Sequence, residues 1–126
     1  MRNRKEKPLR AVVYLSAKGN EITIEQKEKN QLKYIREYAK AHNIKIVKIM
    51  HRSILGNYVV NTHFQKMVEM IGKKEVEIIL VSKISGIATD LEDAYRKIGK
   101  AIQSGGYIVT VDEGEMKLPI QMAITK

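Results

Sequence analysis

Four short apolar runs, each separated from the next by a stretch with helical spacing, constrain this chain more than any other feature. The runs are LRAVVYLS (residues 9–16), IKIVKIM (44–50), EVEIILVS (75–82) and YIVTVD (107–112). They are short, β-branched and apolar in consecutive positions, as strands covered on both faces are. Between the first two, residues 24–42 place Leu32, Ile35, Tyr38 and Ala39 on one stripe among Lys, Glu and Gln, the pattern of an amphipathic helix. A second helix is predicted over 61–72 from Phe64, Met67, Val68 and Ile71, with Gly72 as its C-terminal stop. A third is predicted over 89–104, with Thr89 or Asp90 as N-cap, Leu91, Ala94, Tyr95, Ile98 and Ile102 as its stripe, and SGG closing it. Strict alternation of strand and helix predicts a three-layer α/β/α fold on a four-stranded, mainly parallel sheet with right-handed crossovers.

A chain of 126 residues can bury one core and not two. We expect a basic arm over residues 1–8, one α/β domain over 9–114, and a C-terminal segment over 115–126 in which a further helix could start near Pro119. No cysteine is present, which excludes a disulfide framework, a thiolate metal site and a thiol nucleophile. His42, His51 and His63 lack ligand-like spacing, so neither a metal nor any other cofactor is expected. No apolar run reaches membrane-spanning length, and the basic N-terminus has no apolar segment behind it to act as a secretory signal. The expected location is therefore the cytoplasm. The net charge of +9 suits a polyanionic partner, and part of it is local: Arg2, Arg4, Lys5, Lys7 and Arg10 stand against Glu6 alone in the first ten residues.

In a parallel sheet, ligands meet the loops at the carboxyl ends of the strands. Here those loops are SAKGNE, HRSILGN and SKISGIATD, each with Gly, Ser and a cation. Neither GxxxxGK[ST] nor GxGxxG is present, and Ser16 and Lys18 stand where a receiver domain would need acids. The loops fit another frame. Tyr14, QLKYIREYA from Gln31, SILG ending in Gly56, FQKMVEMI from Phe64 and EIILVSKISGIATDLED follow one another as in the serine recombinases. From residue 9 to 114 the chain resembles the N-terminal catalytic domain of that resolvase and invertase family. The resemblance implies the strand order 2-1-3-4 and an ancestral activity of DNA cleavage and rejoining by a serine nucleophile.

The positions that carry chemistry in the family are different here. Its Tyr-x-Arg-x-Ser pattern falls on Tyr14, Ser16 and Lys18, so the arginine becomes serine and the nucleophile becomes lysine. Its arginine before the second helix falls near Asn61, and its Asp-Arg-Leu-x-Arg set falls on Ser82, Lys83, Ile84, Ser85 and Gly86. Planar, bidentate guanidinium groups hold a phosphodiester and its developing charge far better than point charges do. Each lost stabilising donor costs about 10²- to 10³-fold in rate. The resemblance with these substitutions implies a degenerate module, accessory or regulatory in DNA recombination or in a mobile element, that binds DNA non-specifically or binds a recombinase subunit. Lys18, Arg52, Lys83, Arg2 and Arg4 are the candidate phosphate contacts, and a homodimer is one open arrangement. Two alternatives stay open: a small phosphate-ligand module using Ser16, Lys18, Gly19, Asn20 and Lys83, and a pure protein-interaction domain. An active enzyme would have to use Ser16, displaced by about 6–7 Å along the strand from the family's nucleophile.

Overall fold

A computed structural model describes residues 7–17, 20–52 and 57–118. The order of elements is β1 (Leu9–Leu15), α1 (Glu21–Ala41), β2 (Ile44–His51), α2 (Asn57–Gly72), β3 (Ile78–Val81), a 3₁₀ turn (Ile84–Gly86), α3 (Leu91–Gln103), β4 (Tyr107–Thr110) and β5 (Gly114–Glu115). The sheet runs β2-β1-β3-β4-β5. The first four strands are parallel in the expected order 2-1-3-4. The four-strand expectation is corrected by β5, which turns back antiparallel on β4 and pairs Thr110 with Gly114. Gly114 takes φ +80, the left-handed conformation that lets the chain reverse there.

Alternation along the strands decides which helix covers which face. Ala11, Val13 and Leu15 of β1, with Leu80 and Val109, pack under Ile35 and Ala39 of α1. Val12 and Tyr14 point the other way, into a core built with Phe64, Met67 and Ile71 of α2 and Ile98 and Ala101 of α3. One helix therefore covers one face and two cover the other.

Local chemistry sets the ends of the helices. The Asn20 side chain accepts from the Thr23 amide at 3.0 Å and starts α1, and Asp90 accepts from the Asp93 amide at 2.8 Å and starts α3. Helix α2 begins at Asn57, four residues before the expected start, because Val60 extends the apolar stripe one turn upstream of Phe64 and is itself buried. Its end falls at Gly72 as expected, but Gly72 is not the left-handed cap. Gly72 is the last helical residue, and the left-handed position is Lys74 at φ 62. The Lys74 and Glu75 amides fold back on the Ile71 and Met70 carbonyls, both at 2.9 Å, closing a Schellman motif. Because the Glu75 amide is used in that closure, β3 opens only at Ile78 rather than at residue 75.

Candidate functional site

Parallel strands deliver their loops to one edge of the sheet, and the register sets which loop residues meet. Tyr14 pairs with Val81 across β1 and β3, so the chain continues past that pair as Ser16 on one side and Ser82 and Lys83 on the other. They line a cleft of about 320 Å³ with Gln31, Ser85 and Gly86. A second cleft of about 230 Å³ adjoins it and shares Ser16, Ser85 and Gly86. Arg52, Asn61, Thr89 and Lys97 complete its wall. Four of the residues singled out in the sequence, Ser16, Ser82, Lys83 and Gly86, thus meet in one cleft, with Asn61 and Arg52 next door. Lys18, Gly19 and Gly56, like Arg2 and Arg4 of the basic arm and Pro119, lie outside the described residues.

The end of β1 is held from two sides. The Gln31 side chain accepts from the Ser16 amide at 3.0 Å and donates to the Ser16 carbonyl at 2.6 Å, extending the strand's pairing onto a helix. On the other side the Arg52 amide donates to the Leu15 carbonyl at 2.9 Å, and Arg52 Nη1 donates to the Ala17 carbonyl at 3.1 Å. Among the described residues, Arg52 Nε is buried with no hydrogen-bond partner. Gly86 sits close beside Ser16, in that a Cβ there would meet the Ser16 Cβ at 3.5 Å. That is ordinary contact, so the close approach does not itself demand glycine.

Below the cleft Tyr14 is buried, and its hydroxyl lies 2.8 Å from His63 Nδ1 of α2. Burial pushes the phenol up to about 12, against the pull of the Arg52 charge and with a small push from Glu28. Burial likewise lowers His63, helped by the positive Lys66 and by His51. Both shifts favour a neutral pair, hydrogen-bonded between the Tyr14 hydroxyl and His63 Nδ1.

Lys97 is the residue that sequence reasoning missed. Its ammonium, 6% exposed, donates to Asn61 Oδ1 at 2.7 Å, to Asp93 Oδ2 at 3.0 Å and to the Ile87 carbonyl. An ammonium has three donors, and all three are engaged here. Asp93 also accepts from the Thr89 amide at 3.0 Å. Burial pushes the Asp93 carboxyl up, but the bonds from Thr89 and Lys97 and the charges of Lys97 and Arg96 outweigh it and hold the carboxyl below its ordinary value. One signal was available in the sequence: Lys97 stands on the apolar stripe of α3, three residues after Ala94, next to Ile98 and four before Ala101. Among the described residues no cluster of His, Asp or Glu could hold a metal ion, and no helix is long and apolar enough to cross a membrane.

The model of the resolvase N-terminal domain matches residues 22–125. The chain belongs to the resolvase family. No curated protein matches it. Among solved structures, a resolvase family site-specific recombinase from Streptococcus pneumoniae is similar over 93% of this chain and 82% of that one, at 20% identity and a TM-score of 0.74. The C-terminal catalytic domain of ISC1926 TnpA, an IS607-like serine recombinase, is similar over 93% of this chain and 76% of that one, at 18% identity and a TM-score of 0.67. The N-terminal catalytic domain of TP901-1 integrase is similar over 91% of this chain and 87% of that one, at 13% identity and a TM-score of 0.68. At these identities the likeness is one of fold, and it agrees with the parallel order 2-1-3-4. The resolvase family is one of DNA recombination, so the cleft at the ends of β1 and β3 lies in a scaffold shared with recombinases.

Proposed function

We propose that this resolvase-family chain is an accessory or regulatory module of DNA recombination that binds DNA, or a recombinase subunit, through charge and does not cut DNA. The observation that carries this reading is the state of the cations around Ser16. Lys97 has no donor left for a phosphate, and Arg52 spends one edge on the Ala17 carbonyl. Asn61, Ser82 and Gly86 bring no charge, which leaves Lys83, exposed at the rim of the first cleft, and the unengaged donors of Arg52 in the adjoining cleft as the positive groups among the described residues there. In-line attack on a phosphodiester needs several fixed donors aimed at the charge that develops on the transferring group. One flexible ammonium and one guanidinium tethered to the Ala17 carbonyl are fewer than that, whereas they suffice for electrostatic contact with a phosphate backbone. Two measurements test the reading. Titration with a short duplex is expected to show binding at low salt that weakens steeply as salt rises. A nicked suicide substrate is expected to trap no covalent protein–DNA adduct. An adduct that forms and then disappears in Ser16→Ala would establish an active enzyme and overturn the proposal.

A further inference from the structure

Helix α1 carries an ordered array of positive charge that the cleft does not use. Lys29, Lys33, Arg36 and Lys40 follow one another at spacings of four, three and four residues, so all four fall on one narrow stripe of the helix. All four are exposed, and none makes an ion pair or hydrogen bond among the described residues. Glu25 and Glu37 stand four residues from Lys29 and Lys33 on the same helix and still do not pair with them. At i,i+4 the pairs Lys29/Lys33 and Arg36/Lys40 repel while Glu25/Lys29 and Lys33/Glu37 attract, so the stripe gives α1 little net stability of its own. On another side of α1, Ile35 and Ala39 are packed against the sheet and Ile24 is buried, so these side chains are unavailable to insert into a lipid surface.

From Lys29 to Lys40 the helix rises about 16 Å, with the four cations about 4.5–6 Å apart along its axis, so the stripe can lie along a short run of backbone phosphates. The stripe starts within one turn of Gln31, the residue that holds the Ser16 end of β1, and runs back along the sheet away from the cleft. From this geometry we propose that the outer face of α1 is the DNA-binding surface of the protein, with Lys29, Lys33, Arg36 and Lys40 each neutralising one backbone phosphate. The inference rests on the DNA-binding reading above and moves the contact from the cleft to the helix. Recognition of this kind is blind to sequence, because phosphate contacts position a protein on DNA and base contacts specify.

The test compares two charge-matched variants of the full chain, measured by fluorescence anisotropy on a short duplex across a salt series. One is Lys29→Gln/Lys33→Gln/Arg36→Gln/Lys40→Gln. The control is Lys48→Gln/Lys66→Gln/Lys73→Gln/Lys100→Gln, which removes four exposed cations from other elements. Loss of four phosphate contacts flattens the slope of log K against log salt by about 3.6, and low-salt affinity falls on the order of a hundredfold. The control keeps most of both. The α1 variant melts at about the wild-type temperature, since all four side chains are exposed and the repelling and attracting i,i+4 pairs are lost together, so lost binding is not lost folding. If the α1 variant binds like the wild type while Arg52→Gln/Lys83→Gln loses binding, the inference falls and the DNA-binding reading stands. If the two quadruple variants weaken binding equally, net charge rather than this stripe is responsible and the inference falls. If the wild type binds no duplex but binds phosphatidylserine vesicles or nothing at all, the reading and the inference fall together.

Discussion

Tyr14 and Lys97 show what a single buried polar group does in this protein. The Tyr14 hydroxyl is deep beneath the cleft and has His63 as its partner, so Tyr14→Phe keeps the ring and removes one buried bond. The expected loss is about 1 kcal/mol, read as a shift of the urea midpoint at unchanged slope. His63 is held below its ordinary value, so on acidification the unfolded chain takes up this proton before the folded one does. Its contribution is therefore intact above about pH 6.5 and is lost as pH falls through and below that value. A urea series at descending pH should show this loss, and it should be smaller in His63→Gln. Asp93 adds a second loss at lower pH: its depressed carboxyl stabilises the fold above the unfolded value of about 4, and that stability fades as pH falls further. Lys97→Met leaves Asp93 with the exposed Arg96, at 3.3 Å, as its remaining cation and removes the donor to Asn61 and the Ile87 carbonyl, and is expected to cost about 3 kcal/mol. Adding Asp93→Asn to it should recover part of that loss in the same denaturation assay.

At the scale of elements, much was legible because it is written locally. Asp90 is an N-cap that needs only an amide three residues away, and SGG ends α3 because Gly105 takes φ +103; Asn20 caps α1 in the same way but starts it at Glu21, ahead of the start expected at residue 24. Lys74 was not legible: a lysine in the left-handed conformation is unusual, and it goes there because the following strand has to enter the sheet at Ile78. Gly106 shows the same dependence on a neighbouring element. A Cβ there would lie 2.3 Å from the Glu77 carbonyl oxygen and 2.9 Å from an Ile71 methyl. Gly106→Ala must push β4 from β3 and α2, and we expect a loss of about 3 kcal/mol or more, seen as a lower melting temperature. Edge strand β2 carries its own irregularity. The register slips so that Ala11 pairs with Ile46 and Val12 with Lys48, leaving Val47 as an extra, exposed residue. A bulge flanked by Lys45 and Lys48 discourages a second chain from pairing with that edge.

For the whole molecule, the alternation of apolar runs and helical stripes determined the α/β class and the parallel sheet. The run of residues from Tyr14 through EIILVSKISGIATDLED pointed to the resolvase scaffold and its strand order. These features survive in a bare sequence because periodicity is local and burial acts on each segment separately. The short β5 was missed because two residues in a turn-rich tail carry no periodic signal. Tertiary structure alone decided the character of the site. Lys97 and Asn61 are 36 residues apart and Tyr14 and His63 are 49 apart, and each pair meets only because β1 lies between β2 and β3 with α2 and α3 on one face. A lysine three residues beyond an alanine reads as a solvated charge until α2 supplies the Asn61 amide and the turn before α3 supplies the Ile87 carbonyl, beside the Asp93 carboxylate one turn back on the same helix. The sequence by itself determined which residues stand at the mouths of the strands. The packing of distant helices decided which of their charges remain free to meet a phosphate, because hydrogen-bond satisfaction depends on every group within reach and not on neighbours along the chain.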